Sequence, residues 1–177
     1  MKTFLKTTIL LFIIAIINSC SKDDDKGVES LPPATQTGAR TFGCLVDGNA
    51  FIDTGAINCF YQYVDGGYYF AVGGENNSEN PIGVNIATYN KTISQGETLP
   101  LTLRQDGYAW GGAFFELTST NGESGFTNNE YTGEVTITKL DYESNIVSGT
   151  FWLDVKHPET GARIKITDGR FDTHFSQ

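Results

Sequence analysis

The sequence predicts an antiparallel all-β domain, and three observations lead to that prediction. Apolar and polar residues alternate in many short segments, which is the period of a strand with one face on a core. Glycine is frequent, with 20 residues, and recurs in turn signals beside many Thr and aromatic residues. No segment after the first 40 residues has the apolar spacing of an amphipathic helix. About eight to ten strands must close as a β-sandwich or a barrel, because a long open sheet exposes its edge.

We favour a single β-sandwich, with a closed or partly open β-barrel as the alternative. Residues 1–19 are predicted to be a signal peptide and to contain the only substantial helix. Lys2 and Lys6 give a cationic start, and an unbroken apolar run follows at 9–17. This run is much shorter than the about 20 apolar residues of a membrane-spanning helix, so it is typical of a secretory signal.

The end of the apolar run, Ile17-Asn18-Ser19-Cys20, resembles the lipobox of bacterial lipoproteins. The resemblance implies cleavage before Cys20 and a thioether between its sulfur and diacylglycerol, with a further acyl chain such as palmitate on the freed amine. Each buried methylene contributes about 0.8 kcal/mol, so two acyl chains anchor a protein stably. The alternative is an ordinary signal followed by a chance cysteine.

Residues 20–40 are predicted to form the lipidated end and a flexible tether. The stretch 21–26 is entirely polar and mostly charged, and an acidic cluster after the lipidated cysteine resembles the export signal of Bacteroidota lipoproteins. That resemblance implies an outer-membrane lipoprotein displayed on the cell surface, with a periplasm-facing one as the alternative. A charge run is also the ordinary composition of a solvated tether. Pro32-Pro33 and small polar residues over 27–40 indicate a partly stiffened spacer.

Residues 41–177 are predicted to form the all-β domain. Alternation places strands at 41–46, 57–64, 68–72, 82–86, 99–103, 108–117, 134–138, 150–155 and 163–167. A short return strand is expected near Phe51. The Asp-Gly pairs at Asp47, Asp65, Asp106 and Asp168 are interpreted as turns, since Asp-Gly supplies the positive φ that tight turns require. A calcium loop would need several oxygen ligands at close spacing.

Both ends of this domain resemble one family. Leu31–Gly38 (LPPATQTG) and Thr41–Gly48 (TFGCLVDG) look like the start of an uncharacterised Bacteroidota lipoprotein family, a domain of unknown function. Ile146–Phe151 (IVSGTF) and Ile166–Asp172 (ITDGRFD) look like its closing motif. The resemblance supports the lipoprotein expectation. It implies no catalytic residue, because the family has no assigned activity.

The net charge of the mature chain disfavours some classes of binding partner. Loss of Lys2 and Lys6 with the signal leaves ten basic against 21 acidic residues, a net charge of −11. Nucleic-acid binding depends on neutralising phosphates with Lys and Arg, so we expect no nucleic-acid partner. The expected membrane contact is through the lipid anchor. Cys44 and Cys59 then remain, both in phase with inward-facing neighbours, and they form either a disulfide or two buried free thiols.

Catalytic chemistry is not predicted. His157 lies in a Pro-Gly turn and His174 lies near the end of the sequence, and no serine has the Gly-x-Ser-x-Gly setting of a nucleophile. The cysteines are far from both histidines in sequence, which disfavours a zinc site. We therefore expect no catalytic residue, no metal and no cofactor. Carboxylates fall in turns or on exposed strand faces, so a glycan-active hydrolase is only an alternative.

Aromatic side chains are the remaining candidates for binding. Trp152 should face away from the core, because its strand neighbours Phe151 and Leu153 face it. Tyr69 has the same phase, and Trp110 is the third candidate. Ligand sites combine aromatic faces with a few polar groups, whereas cross-strand aromatic packing is the structural alternative. The predicted function is a lipid-anchored, non-enzymatic module that binds a glycan or a protein. A small-ligand-carrying barrel or a glycan-active enzyme is the alternative.

Overall fold

The computed structural model describes residues 26–177, so the predicted signal peptide, Cys20 and the acidic cluster at 23–25 lie outside the described residues. The described chain holds one four-residue helix, α1 (Lys26–Glu29), and eleven strands. In chain order the strands are β1 (Thr41–Val46), β2 (Asn49–Ile52), β3 (Asn58–Val64), β4 (Gly67–Glu75), β5 (Gly83–Thr88), β6 (Thr98–Leu101), β7 (Ala109–Thr118), β8 (Asn121–Phe126), β9 (Gly133–Asp141), β10 (Ile146–Lys156) and β11 (Arg163–His174). The all-β class is confirmed. Among these residues no helix has the length and hydropathy to cross a membrane.

All eleven strands belong to one mostly antiparallel sheet that is not closed. Its order is β2-β1-β11-β10-β9-β6-β7-β5-β4-β3, with β8 paired only to β7. We call the strands from β2 to β9 in this order the first layer, and β7, β8, β5, β4 and β3 the second layer. Strand β6 joins them, since it pairs antiparallel with β9 and meets β7 at a single parallel position, Leu101 beside Ala109.

The two layers pack face to face around a filled core, as in a β-sandwich. Phe70 of β4 and Phe171 of β11 lie 6.3 Å apart between ring centroids. A Cβ on Gly111 of β7 would lie 3.0 Å from the Leu153 side chain of β10. The largest fully buried side chains are phenylalanines from both layers, and each contributes about 1.5–3 kcal/mol of burial free energy: Phe42, Phe51, Phe70, Phe115 and Phe171.

Strand β3 at the edge of the second layer is tied to the end of the chain. The backbone N–H of Tyr61 donates to the carbonyl of Ser176 at 2.9 Å, and the N–H of Ser176 donates to the carbonyl of Cys59 at 3.1 Å. This short parallel bridge follows directly after β11. It partly covers an edge that would otherwise offer unpaired backbone groups to other chains.

One of the four Asp-Gly pairs is not a turn. Asp168-Gly169 forms a bulge inside β11, where the register shifts against both β1 and β10. Asp168 has φ 53°, and a Cβ on Gly169 would lie 2.5 Å from the Phe151 ring. The sequence signal of a positive φ was therefore correct, but a bulge uses the same backbone geometry as a turn. The pairs at Asp47, Asp65 and Asp106 do lie in turns.

The segment predicted to be a flexible spacer packs on the domain from α1 onwards, since a Cβ on Gly27 would lie 2.8 Å from the Gly48 carbonyl oxygen. Leu31 is buried, and a Cβ on Gly43 of β1 would lie 2.9 Å from the ring of Pro32. Residues 34–39, which we call the strap, cross the first layer and bond to β11. The prediction was wrong here because small polar residues and prolines are typical of linkers, while their partners lie at the far end of the sequence.

Cys44 and Cys59 are free thiols, so the disulfide alternative is not the one found. Cys44 lies in the core, and Cys59 packs against the core from β3. Burial raises the pKa of Cys44 well above its usual range and that of Cys59 to about 12. Because the thiolate is the reactive form, this burial makes both thiols poor nucleophiles in the folded protein.

Candidate functional site

The three aromatic residues singled out by sequence do not form one patch. Trp152 lies on the outer face of β10 in the first layer, and its side chain is 42% exposed. Tyr69 of β4 and Trp110 of β7 lie on the outer face of the second layer. Tyr69 is half-buried, and Trp110 is only 6% exposed. Trp152 is therefore the candidate that offers an open aromatic surface.

Trp110 packs within the protein. Its ring lies 5.5 Å from the rings of Tyr89 and Phe126, and the Arg104 guanidinium lies 4.7 Å above it. Tyr69 extends this cluster, 6.4 Å from Tyr89. Cross-strand aromatic packing, which was the alternative to ligand binding for these residues, thus accounts for Tyr69 and Trp110.

Trp152 lines a groove of about 360 Å³ on the outer face of the first layer. We call it the Trp152 groove. Its polar lining residues come from three neighbouring strands and are Glu134, Thr136, Thr150, Asp168 and Arg170. Such a combination of one aromatic face with a few convergent polar groups is typical of small-molecule and sugar sites.

The register of the ladders explains why these side chains meet. Thr136 of β9 pairs with Thr150 of β10, which pairs with Arg170 of β11, so the three form one row across the sheet. Trp152 and Glu134 pair in the next row on the same face. Since alternate residues share a face, both rows point away from the core.

Hydrogen bonds fix the aromatic ring and engage the Thr136 hydroxyl, which lies 2.8 Å from that of Thr98, and they leave other polar groups of the groove free. The Trp152 Nε1–H donates to Oε2 of Glu134 at 3.3 Å, which holds the plane of the indole while its face stays exposed. Arg170 donates through Nε to the carbonyl of Asp168 at 3.1 Å. Its two Nη groups make no hydrogen bond or ion pair with the described residues, and a planar fork of this kind binds paired oxygens well.

The charges that line the Trp152 groove favour a neutral ligand over an anionic one. Glu134 and Asp168 each carry a negative charge, and Arg170 carries the one positive charge among the lining residues. The lining is therefore net negative by one charge. An anionic ligand would gain little from it, whereas a neutral ligand with several hydroxyl groups would meet both donors and acceptors.

The strap forms one wall of the groove through Ala34 and is fastened by a buried carboxylate. Asp172 of β11 is 1% exposed. It accepts hydrogen bonds from the Thr35 hydroxyl at 2.6 Å, the Thr37 N–H at 2.9 Å, the Gly38 N–H at 2.8 Å and the Ser148 hydroxyl at 2.8 Å. Burial alone would raise the pKa of Asp172, but these bonds outweigh it and hold the pKa well below its usual range.

Neither histidine is placed as a base beside a nucleophile. The His157 ring stacks on Phe115 at 4.6 Å, and its Nδ1 accepts from the backbone N–H of Glu159 at 3.2 Å. The His174 ring covers Gly38, where a Cβ would lie 2.5 Å from it. Between residues 26 and 177 no group of three or more His, Cys, Asp or Glu side chains could hold a metal ion.

Sequence reasoning found Trp152 and missed the residues around it. The alternation put Thr150 and Trp152 on one face, and Glu134 and Thr136 on one face, but it carries no information on which strands are neighbours. The strap wall was also missed, since it depends on Asp172. No protein-family model, no curated protein and no solved structure matches this chain.

Proposed function

We propose that this chain is a lipid-anchored, surface-displayed lipoprotein of the outer membrane that binds a neutral glycan in the Trp152 groove and does no catalysis itself. The observation that carries the proposal is the exposed indole face of Trp152 beside three groups that bond to no described residue, which are the Thr150 hydroxyl, the Asp168 carboxylate and the Arg170 Nη groups. The C–H face of a sugar ring is apolar and stacks on such a ring, while its hydroxyls bond to the polar groups.

The filled core favours binding on the surface over carriage inside a barrel. Aromatic and aliphatic side chains from both layers occupy the space between them. A carrier would need an enclosed apolar cavity, whereas the Trp152 groove is open on an outer face. A protein partner in the Trp152 groove is the remaining alternative and is one outcome of the test below.

The anchor proposal rests on the lipobox resemblance and gains a geometric consequence from the strap. The chain packs on the domain from α1 onwards, where a Cβ on Gly27 would lie 2.8 Å from the Gly48 carbonyl oxygen, and only a short segment separates Cys20 from α1. Six fully extended residues span about 20 Å. We therefore expect the domain to lie close to the membrane surface rather than at the end of a long tether.

Lipidation is tested by replacing the acceptor. Cys20→Ser should move the protein from the membrane fraction to the soluble fraction, because the signal peptide then leaves without a lipid anchor in its place. Fractionation and immunoblotting measure this, and the matched control is Cys59→Ser, which keeps Cys20. Retention of Cys20→Ser in membranes contradicts the anchor. Protease treatment of intact cells then separates surface display from a periplasm-facing orientation.

Glycan binding is tested with Trp152 as its own reporter. The chain has two tryptophans, so Trp110→Phe leaves Trp152 as the only source of indole fluorescence. Titration with cellohexaose, maltohexaose and mannohexaose should blue-shift the emission and protect it from acrylamide, because a stacked sugar excludes water from the ring. Trp152→Ala removes the reporter, so its binding is measured by isothermal titration calorimetry, and affinity at this groove should fall by about 2 kcal/mol, roughly 30-fold.

The control is the reciprocal variant. Trp152→Phe leaves buried Trp110 as the reporter, and its emission should not respond to ligand at the Trp152 groove. Absence of any response from Trp152 to all three hexasaccharides contradicts glycan binding at this groove. A response that a neutral extended hexapeptide produces equally well would favour a protein partner instead.

A further inference from the structure

The outer face of the second layer carries another groove, of about 340 Å³, which shares no residue with the Trp152 groove. We call it the Phe60–Phe114 groove after the two rings that line it. Phe60 of β3 is 36% exposed and Phe114 of β7 is 40% exposed. Strands β3 and β7 are three strand spacings apart, about 14 Å, so the two rings stand at opposite ends of the groove.

Small residues make the floor of this groove. Ala71 and Gly73 of β4 and Gly83 of β5 lie between the two rings in the sheet order β3-β4-β5-β7. Glycine within a strand weakens it, because it adds backbone entropy to the unfolded chain and no packing to the folded one. A floor of such residues therefore needs a reason.

Packing supplies no reason at Gly83. A Cβ there would lie 3.8 Å from the nearest atoms, the Gly74 carbonyl oxygen and the Phe114 Cβ, which is ordinary contact. Its backbone is also outside the left-handed region that favours glycine. By contrast, a Cβ on Gly73 would lie 3.1 Å from Asn85. What a larger side chain at Gly83 would change is the open space of the groove.

The polar lining groups are free of internal partners. Asn58, Asn77, Asn85 and Glu75 line the groove, and their side chains form no hydrogen bond with any residue the structure describes. The register places Asn58 and Asn85 on either side of Gly73, so two amide groups flank the floor. Each amide offers two donors and one acceptor oxygen.

We propose that the Phe60–Phe114 groove is a second carbohydrate site, which binds a neutral oligosaccharide across the strands. The phenyl rings stack on apolar sugar faces at the two ends, and the amides of Asn58 and Asn85 bond to hydroxyls between them. An anionic chain is disfavoured because Glu75 is the one charged residue in the lining. The length of the groove selects a chain of several sugar rings rather than a single ring.

A peptide fits this groove less well. Peptides that lie on sheets usually add a strand at an exposed edge and use main-chain hydrogen bonds. Here the backbone groups of β4 and β5 are already paired with strands on both sides. Only side chains remain to bond a ligand, and amide side chains suit hydroxyl groups that both donate and accept.

The test uses the full lipidated chain in phosphatidylcholine nanodiscs, with Trp152→Ala as the background so that the first groove is removed. Isothermal titration calorimetry with cellohexaose, maltohexaose and mannohexaose should still give saturable heat with at least one of them. Adding Gly83→Leu should weaken that binding at least tenfold, because the leucine fills the floor. Gly83→Ala is the matched control and should weaken it less than threefold, since a single Cβ fits.

Three results would overturn the proposal. One is the absence of saturable heat from all three hexasaccharides in the Trp152→Ala background, and another is equal affinity in Gly83→Leu and Gly83→Ala. The third is tighter binding of a neutral extended hexapeptide than of any hexasaccharide. Circular dichroism melting of Gly83→Leu shows that the fold is retained. Phe60→Ala provides a second probe, with at least a fivefold loss expected. Failure of this site leaves the Trp152 fluorescence response unchanged, so the two grooves are tested separately.

Discussion

A buried polar side chain lies on each outer face of the molecule, Asp172 on the first layer and Trp110 on the second, and their hydrogen-bonding groups are satisfied to opposite degrees. On the first layer, Asp172 is almost completely buried and accepts six hydrogen bonds. On the second layer, Trp110 is also buried, and its Nε1–H has no hydrogen-bond partner among residues 26–177. The comparison teaches that one face depends on a specific polar contact between distant parts of the chain. The other depends on the packing of apolar rings.

The polar face also joins the two ends of the chain. Thr35 and Asp172 bond across 137 positions in sequence. Strand β10 meets the same carboxylate, because the Ser148 hydroxyl donates to Asp172 at 2.8 Å. Asp172 therefore fastens the strap over β10 and β11.

The largest effect is expected from Asp172→Ala. The backbone N–H groups of Thr37 and Gly38 and the buried Ser148 hydroxyl lose their acceptor, and an unsatisfied buried donor costs about 1–3 kcal/mol. We expect the free energy of unfolding to fall by about 3–5 kcal/mol in urea titrations. The strap should become sensitive to limited proteolysis. Binding in the Trp152 groove should weaken, while binding in the Phe60–Phe114 groove should not change.

Glu123→Ala is the matched control for that variant. Glu123 is an exposed carboxylate on β8 whose side chain makes no hydrogen bond with the described residues, so its loss should change stability by less than about 0.5 kcal/mol. Equal unfolding free energies for Asp172→Ala and Glu123→Ala would contradict the claim that the first layer depends on the hydrogen bonds of Asp172. Equal weakening of both grooves by Asp172→Ala would show that the strap does not act locally.

Acidification should weaken the hydrogen bonds between Asp172 and the strap. The pKa of Asp172 is lowered in the folded state, so the stability it contributes is fully present above its unfolded pKa of about 3.9 and is lost as pH falls towards the folded value. Asp172→Asn removes this titration. The wild-type chain should be more stable at pH 7, and the difference between the two should narrow below about pH 4. Urea midpoints measured from pH 2 to pH 7 check this, and a constant difference contradicts it.

The two cysteines allow the local opening of a central strand to be compared with that of an edge strand. Cys44 is fully buried on β1 between β2 and β11, whereas Cys59 lies at moderate depth on the edge strand β3. Both thiols should resist iodoacetamide at pH 8 in the folded protein, because burial raises their pKa. Under native exchange Cys59 should react first, since edge strands open locally before central ones. Mass spectrometry of labelled peptides measures the order, and faster labelling of Cys44 would contradict it.

The sequence predicted where most strands lie along the chain, but it did not predict which strands are neighbours in the sheet. Alternation placed nine of the eleven strands, including the outward phase of Trp152, and the turn at Asp47 placed β2 as a return strand near Phe51. Alternation missed β8, whose residues Asn121-Gly122-Glu123-Ser124 have no apolar alternation and pair only with the outer edge of β7. The Trp152 groove needs lateral register, and the burial of Trp110 needs Arg104 and Phe126 from separate segments. Such contacts are set by tertiary packing, which the period of one strand does not contain.

The smallest effect is expected from Trp110→Phe, and it tests the second half of the comparison. The substitution removes a buried N–H that has no partner, which is favourable, and it also removes part of the ring area packed against Tyr89 and Phe126. These two contributions oppose each other, so we expect the unfolding free energy to change by less than about 1 kcal/mol. Urea titration measures it, with Trp110→Ala as the control that should lose about 3 kcal/mol or more because the ring itself is gone. A loss of several kcal/mol in Trp110→Phe would mean that the indole N–H is bonded in solution. The two faces would then rely on polar contacts to a similar degree.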